Sequence, residues 1–461
     1  MSAQWTVAAT ARARDGPRAD PRPRDVRTVH RGGGRVGRGG ANVGTTQATW
    51  WQKVALFGPG LALAATSVGA GDLVSTLEGA GSFGMGLVWI AVVGVVIKYV
   101  LTEASGRLQL SSPTTLMAKI ASIHIGFAWL FLVAVVAMTT LYGAGLGSVA
   151  ALALEMMIPG LPAVPTTIAI ILISGAIVYV GKYDFFEKYM VGFSVVMFLG
   201  VVVIAIFAAG AMEEPATIVE TLTISIPGGS FPAALAMIGG IGGSATIAIY
   251  AYWVRDKGWT DIAYLTRMRK DAAVSYAAIL VFVLSLSTVG TALVFGTGLT
   301  ISGNAELEAL GAPLQELFGQ FVRVTFFVTF FVVVFSSIVG GFNGFCYMLA
   351  DCIRVVRRIP DDQADEYIAP KRPFFTAVLA FQVLAPLVIM FAGRPVQLVL
   401  AYAISGAFFL PLLVVAFLIL LGRRRVSPEL RNSKPVTVVL VMSLVLFGSL
   451  AISQTVGQLA G

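Results

Sequence analysis

The chain has 461 residues, 57% of them hydrophobic and 12% charged, with a mean hydropathy of +0.85. That charged fraction is about half that of an ordinary soluble domain, which excludes a water-soluble globule. Two Cys and two His are too few for a zinc cluster, a disulfide framework or a haem chain, and the formal net charge of +8 points to nucleic acid only if it gathers on one folded face.

Much of that charge sits at the N-terminus. Residues 1–50 hold nine Arg and three Asp among many Gly and Pro. With almost no apolar periodicity they bury too little surface to offset their ordering entropy, so a disordered basic tail is expected. Three readings of it stand: an organellar transit peptide, a basic arm near anionic lipid, or an extension without function.

One bilayer crossing takes about 20 apolar residues. Apolar runs separated by polar punctuation predict about eleven transmembrane helices, near 54–80, 84–104, 124–154, 165–181, 186–211, 231–254, 272–297, 322–353, 374–392, 396–421 and 436–456. The even gaps hold Arg107 and Lys119, Lys182 and Lys188, Arg255 to Lys270, Arg354 to Arg372, and Arg423 to Lys434. The odd gaps hold Glu155, Glu213, Glu214, Glu220, Glu306, Glu308 and Glu316, with Arg323 and Arg394 as their basic residues. Basic residues stay on the cytoplasmic side, so the N-terminus is expected inside and the C-terminus outside.

The first span reads Gly58-Pro59-Gly60, then Thr66-Ser67-Val68-Gly69-Ala70-Gly71-Asp72, then Glu78-Gly79. A carboxylate in mid-membrane costs roughly 2.5–3.5 kcal/mol on insertion scales, so Asp72 should face a cavity, a cation or a hydrogen-bonding partner. Gly69 and Gly71 beside it weaken the helix by up to about 1 kcal/mol each relative to Ala. Local unwinding there frees carbonyl oxygens next to a carboxylate, an environment that suits a hard cation. The sixth span repeats the device in Gly239-Gly240-Ile241-Gly242-Gly243-Ser244-Ala245-Thr246. Spans one and six are five apart, and five is odd, so two tandem five-helix units cross the membrane with opposite topology. Paired Gly-interrupted spans in two inverted halves mark the central site of a transporter; close helix packing is the other reading of such glycines.

At these residues the chain resembles the natural resistance-associated macrophage protein (Nramp) family of divalent-metal transporters. The likeness runs from Gly58-Pro59 through Glu78-Gly79-Ala80-Gly81-Ser82-Phe83-Gly84 to Leu87-Val88-Trp89. It resumes at Glu187-Lys188-Tyr189, in the region from Ser336 to Asn343, and at Leu410-Pro411. The resemblance implies an all-α polytopic fold of the leucine-transporter type, a 5+5 inverted repeat over 54–421 with helices 1 and 6 broken and one additional C-terminal helix over 436–456. Where the family has Asp-Pro-Gly-Asn in helix one, this chain has Gly69-Ala70-Gly71-Asp72. Its one carboxylate has therefore moved by a helical turn. The family's Met-Pro-His of helix six is replaced by Ser244-Ala245-Thr246-Ile247, so no thioether remains to favour soft metals.

The metal site implied is Asp72 for charge, with carbonyls at Gly69, Ala70, Gly71, Gly243 and Ala245 and the hydroxyls of Ser244 and Thr246. Oxygen donors alone suggest a hard ion, Mg²⁺ or Mn²⁺, as transported substrate rather than cofactor. The family's helix-three acidic residue falls at Tyr142, and the two His are His30 and His124, so proton coupling is not expected. The membrane potential alone supplies a divalent ion with about 4.6 kcal/mol per 100 mV.

Glu78 reads either as lining an outer vestibule or as a partner to a hydroxyl or backbone donor. Ser336, Ser337 and Asn343 read either as facing the site or as interhelical hydrogen bonders. Lys98 and Glu103 are expected near the cytoplasmic end of the second helix, the Lys snorkelling. Cys346 and Cys352 are expected to be apolar packers, and Phe326-Phe327 and Phe330-Phe331 to meet lipid or neighbouring helices. No phosphate loop, dinucleotide fingerprint or nucleophile elbow is present, so neither an enzyme nor a nucleic-acid binder is expected.

The sequence reading is thus a multi-pass plasma (inner) membrane transporter of a divalent cation by alternating access, with lipid and the ion as partners and no obligatory protein partner. Two alternatives are carriage of a small organic solute such as an amino acid or amine on the same fold, and a membrane receptor that binds without moving its ligand.

Overall fold

The structure is a computed structural model that describes residues 58–181, 183–210, 212, 220–224, 227–297, 311–391, 395–423 and 426–460. The basic tail, His30, Glu213, Glu214, Glu306, Glu308 and Arg394 lie outside the described residues. Among the described residues there are helices and no strands. Hydrocarbon requires this, because each backbone N–H and C=O must find its partner within the segment.

In chain order the helices are α1 (Gly58–Ser67), α2 (Ala70–Phe83), α3 (Val88–Leu110), α4 (Leu116–Ala121), α5 (Ile125–Met157), α6 (Ala163–Val180), α7 (Tyr183–Gly210), α8 (Phe231–Gly240), α9 (Thr246–Asp256), α10 (Leu265–Leu293), α11 (Gly311–Val356), α12 (Ala364–Ile368), α13 (Pro373–Ile389), α14 (Pro395–Leu420) and α15 (Lys434–Ala460). Helices stand at all the expected places, with the first span divided into α1 and α2 and the sixth into α8 and α9. Taken singly, seven described stretches are long and apolar enough to cross a membrane, or up to eight with the bent pair Asp361–Ile368 and Pro373–Ile389. The short α4 was not expected; Thr115 caps it by accepting from the Ala118 N–H at 3.3 Å.

The Gly-Pro-Gly motif has a packing cause. A Cβ on Gly58 would lie 1.9 Å from Glu187 Oε1 of α7, and one on Gly60 would lie 2.5 Å from the Asp271 carbonyl of α10. Only hydrogen lets the start of α1 seat this closely on its neighbours. Likewise a Cβ on Gly340 of α11 would fall 1.8 Å from Thr66 Oγ1, which draws α11 onto the end of α1. Phe326, Phe327 and Phe330 of α11 are buried against neighbouring helices, and Cys346 and Cys352 are buried free thiols.

The five gaps that carry the basic residues meet. Arg107 pairs with Glu103 at 2.7 Å and donates to the Leu430 carbonyl and Asn432 Oδ1 beyond α14. Glu103 also takes Arg269, from the start of α10, at 2.8 Å. Lys257 after α9 pairs with Glu187 at the start of α7 at 2.6 Å, and Arg255 pairs with Asp365 of α12 at 2.9 Å. The densest knot is Asp351 of α11. Its carboxylate accepts from Thr115 Oγ1 (3.0 Å), the Met117 N–H (3.3 Å), Tyr252 OH (2.8 Å) and Arg354 (2.9 Å).

Candidate functional site

The first break lies at Val68-Gly69 and the second at Ile241 to Ala245. Gly69 is extended (φ −131°), while Gly242 (φ +76°) and Gly243 (φ +59°) are in the left-handed region that side chains disfavour. The two breaks cross in contact, since a Cβ on Gly243 would sit 3.4 Å from the Ser67 Cα. One hydroxyl bond also stitches them: Ser67 donates to Thr246 Oγ1 at 3.0 Å, and Thr246 donates onward to the Gly242 carbonyl at 3.3 Å.

Asp72 sits at this crossing, 4% exposed. Its two oxygens reach different breaks. Oδ2 accepts from the Gly69 N–H at 2.9 Å, and Oδ1 accepts from the Gly242 N–H at 3.0 Å. The carboxylate thereby caps the first turn of α2, where the helix dipole also favours negative charge, and ties α2 to the opened part of the sixth span. The sequence expectation of a partnered Asp72 takes this form, with the partners being backbone amides.

The freed carbonyls of the first break are covered by hydroxyls from α11. Ser336 donates to the Ala65 carbonyl at 2.9 Å, and Ser337 donates to the Thr66 carbonyl at 3.1 Å and the Val68 carbonyl at 2.6 Å. Tyr142 of α5 in turn donates to the Ser337 carbonyl. Both serines are therefore interhelical hydrogen bonders at the edge of the break. Asn343 stands apart from the crossing, accepting from Trp253 Nε1 at 2.8 Å.

The second break is served by a charge. Lys98 of α3 is fully buried, and its Nζ donates to the Gly243 carbonyl at 2.8 Å and the Gly239 carbonyl at 3.3 Å. Its ammonium also lies 5.5 Å from the ring centre of Phe447 on α15. The expected snorkelling of Lys98 is thus wrong. Because α3 runs to Leu110 rather than ending near 104, Lys98 stands about three turns from its end and cannot reach that surface. Sequence reasoning also missed Ser67. The signal for Lys98 was present, in the form of a cation within the apolar run Val95-Val96-Ile97-Lys98-Tyr99-Val100-Leu101, since a charge at that depth faces the interior of a bundle.

The other expected site residues are distributed as follows. Ala70 and Ala245 are buried at the two breaks, and Ser244 is half-buried with Gly406 of α14 beside it, a Cβ there lying 3.3 Å from Ser244 Oγ. Gly71 is exposed with open space beside it, and Ser75, Glu78 and Ser82 follow on the same helical face, each partly or fully exposed. This uncovered polar stripe leads from the first break along α2, and Glu78 lies on it. Among the described residues no group of three or more His, Cys, Asp or Glu converges. What the crossing provides is one carboxylate, one ammonium, several hydroxyls and backbone oxygens.

Comparison with known proteins agrees with this architecture. The family model described as natural resistance-associated macrophage protein-like matches residues 60–456. An uncharacterised protein of Pasteurella multocida is 23% identical over 426 residues, covering 90% of this chain and 95% of that protein. The crystal structure of a mutant manganese transporter of Eremococcus coleocola superposes with a TM-score of 0.68 at 16% identity, covering 90% of this chain and 89% of that one. MhsT in complex with L-phenylalanine superposes with a TM-score of 0.62 at 12% identity, covering 86% and 98%. The fold is therefore the leucine-transporter type with its first and sixth helices broken, and the chain belongs to the Nramp family of multi-pass integral membrane proteins.

Proposed function

We propose that this protein moves a divalent metal cation across the plasma membrane by alternating access, N-terminus inside and C-terminus outside, with the ion held where the two broken helices cross. The observation that carries the proposal is Asp72, a buried carboxylate whose oxygens are aimed by one backbone N–H from each break. A carboxylate held by amides keeps lone pairs for a ligand and needs little reorganisation when one arrives. Gly243 offers a carbonyl oxygen, and Ser244 and Thr246 offer hydroxyls; the Gly69 and Ala245 carbonyls, which accept from the Leu73 and Ile249 N–H groups, and those of Ala70 and Gly71 within α2 join the shell only where the first turns of α2 and α9 open. An oxygen-only shell favours a hard, partly hydrated ion, Mg²⁺ or Mn²⁺. The exposed stripe from Gly71 to Glu78 and Ser82 gives a path from outside. Family membership and the likeness to a manganese transporter support cation transport; Ser244-Ala245-Thr246 in place of the family's Met-Pro-His is this chain's own departure.

One observation favours a second reading. Lys98 sets a cation beside one break while Asp72 sets an anion across both, a pairing that suits the carboxylate and amine of a zwitterion such as an amino acid. Proteoliposomes separate the two. Under the metal reading, Mg²⁺ or Mn²⁺ enters vesicles that hold a trapped metal-sensitive dye, and Asp72→Ala protein of normal size-exclusion profile shows no entry. Amino-acid counterflow without any metal entry would replace the first reading with the second, and ligand binding without flux would point to a receptor.

A further inference from the structure

We propose that Lys98 is a tethered cation belonging to the transport site: its ammonium fills the carbonyl cradle of the sixth-span break while the site is empty, and a substrate cation binds by displacing it. The inference rests on the metal-cation reading above and adds what determines affinity and return of the empty carrier.

The geometry is that of an ion in a shell. Two carbonyls, Gly239 in the last turn of α8 and Gly243 within the break, converge on one Nζ at 3.3 and 2.8 Å. Those oxygens are free to do so because the helix opens there, where Gly242 and Gly243 take positive φ values. The lysine stem is fitted rather than incidental. A Cβ on Gly242 would crowd Tyr276 Cε1 at 3.1 Å and would lie in ordinary contact with Lys98 Cβ at 3.8 Å, so the stem packs directly beside the break. Phe447 of α15 presents its ring face to the ammonium, which brings the additional C-terminal helix into contact with the site.

Charge balance gives the arrangement a purpose. Gly242 donates its N–H to Asp72 and the next residue, Gly243, offers its carbonyl to Lys98, so a short piece of backbone links the anion to the cation. An isolated carboxylate buried at this depth is costly; with Lys98 in the cradle the empty site is close to neutral and can reorient. A metal ion entering beside Asp72 meets the ammonium as a like charge and competes for the same Gly243 oxygen. Lys98 therefore weakens cation binding and, in exchange, lets the carrier return empty.

The test is calorimetric titration of purified wild type and Lys98→Met with Mg²⁺ and Mn²⁺, paired with flux in proteoliposomes. Removing one like charge a few ångströms from the ion should tighten binding about ten-fold or more, and the variant should keep cation exchange while losing net uptake. A lysine with a merely structural role would not divide exchange from net uptake. If wild type binds and Lys98→Met binds equally or more weakly, the inference is overturned and the metal reading stands. Binding by the variant alone would support the tethered cation and overturn the metal reading for the native protein; binding by neither overturns both. Should Lys98→Met fail to fold, Lys98→Gln keeps a donor for Gly243 without the charge and carries the same expectation. If neither purifies, reductive methylation of wild type decides: Lys98 should label in cation-saturated protein and not in empty protein, and equal labelling overturns the proposal.

Discussion

The middle of the bundle and its charged end handle buried charge in opposite ways. At the charged end Asp351 and Arg354 meet directly at 2.9 Å, both essentially inaccessible, and Thr115, Tyr252 and the Met117 N–H fill the remaining acceptor positions. At the crossing of the broken helices Asp72 and Lys98 are each bonded to backbone groups of Gly242 and Gly243 rather than to each other. A direct pair with every lone pair filled holds elements together and offers nothing to a ligand. Charges held through backbone amides and carbonyls remain available, because an incoming ion can share or displace those bonds without breaking a salt bridge.

The largest effect that would sharpen this contrast is expected from Asp351→Ala. It removes one of the two carboxylates that hold Arg354, leaving Asp361 at 2.7 Å, and cuts the bonds from Thr115 and Tyr252 to α11, so a loss of about 3 kcal/mol is expected, read as a large drop in melting temperature in detergent. A small drop would mean that the end is held by its other pairs. Ser337→Ala comes next. The Thr66 and Val68 carbonyls lose their hydroxyl partner, which costs about 1–3 kcal/mol if they stay dry; an undiminished melting temperature would show that water reaches the first break.

These elements were unequally legible in the sequence. The two breaks were legible because Gly-rich runs recur at corresponding places in two apolar spans, although close packing was the other reading of such glycines, and the shared side of the five basic gaps followed from charge asymmetry alone. What completes each break was partly legible: Ser337 was picked out with two roles open, and it covers the first break, whereas the reach of Lys98 to the sixth span was hidden because the two lie far apart in the chain. The position of Lys98 was misjudged for a specific reason. The second span was ended near 104 by its polar residues, but Glu103 and Arg107 pair with each other one turn apart on α3, so the helix continues to Leu110. The exposed polar face of α2 was half legible: Glu78 was singled out, whereas Ser75 and Ser82 of the same face were not.

A pH trend separates the charged end further. Lys119 of α4 is buried with its Nζ on the Gln109 carbonyl at 3.0 Å and the Ser112 carbonyl at 2.9 Å. Burial pulls its amine down from an ordinary 10.5 to about 7, with Asp361 opposing and Arg255 adding to the shift. Between about 7 and 10.5 the unfolded chain binds the extra proton, so stability should rise as pH increases through that window. A neutral amine still has two N–H groups for its two carbonyls. Melting temperatures from pH 7 to about 9 should therefore climb more in wild type than in Lys119→Met, and parallel curves would contradict this. The smallest change is expected from Arg255→Ala, whose partner Asp365 is 73% exposed; such a pair contributes about 0–1 kcal/mol, and less in high salt.

The central claim is that Asp72 binds the transported cation, and isothermal titration of Mg²⁺ and Mn²⁺ into wild type and Asp72→Asn tests it most directly. The account predicts saturable binding to wild type, weakened at least about ten-fold in a folded Asp72→Asn protein. Equal affinity in the two proteins would contradict it.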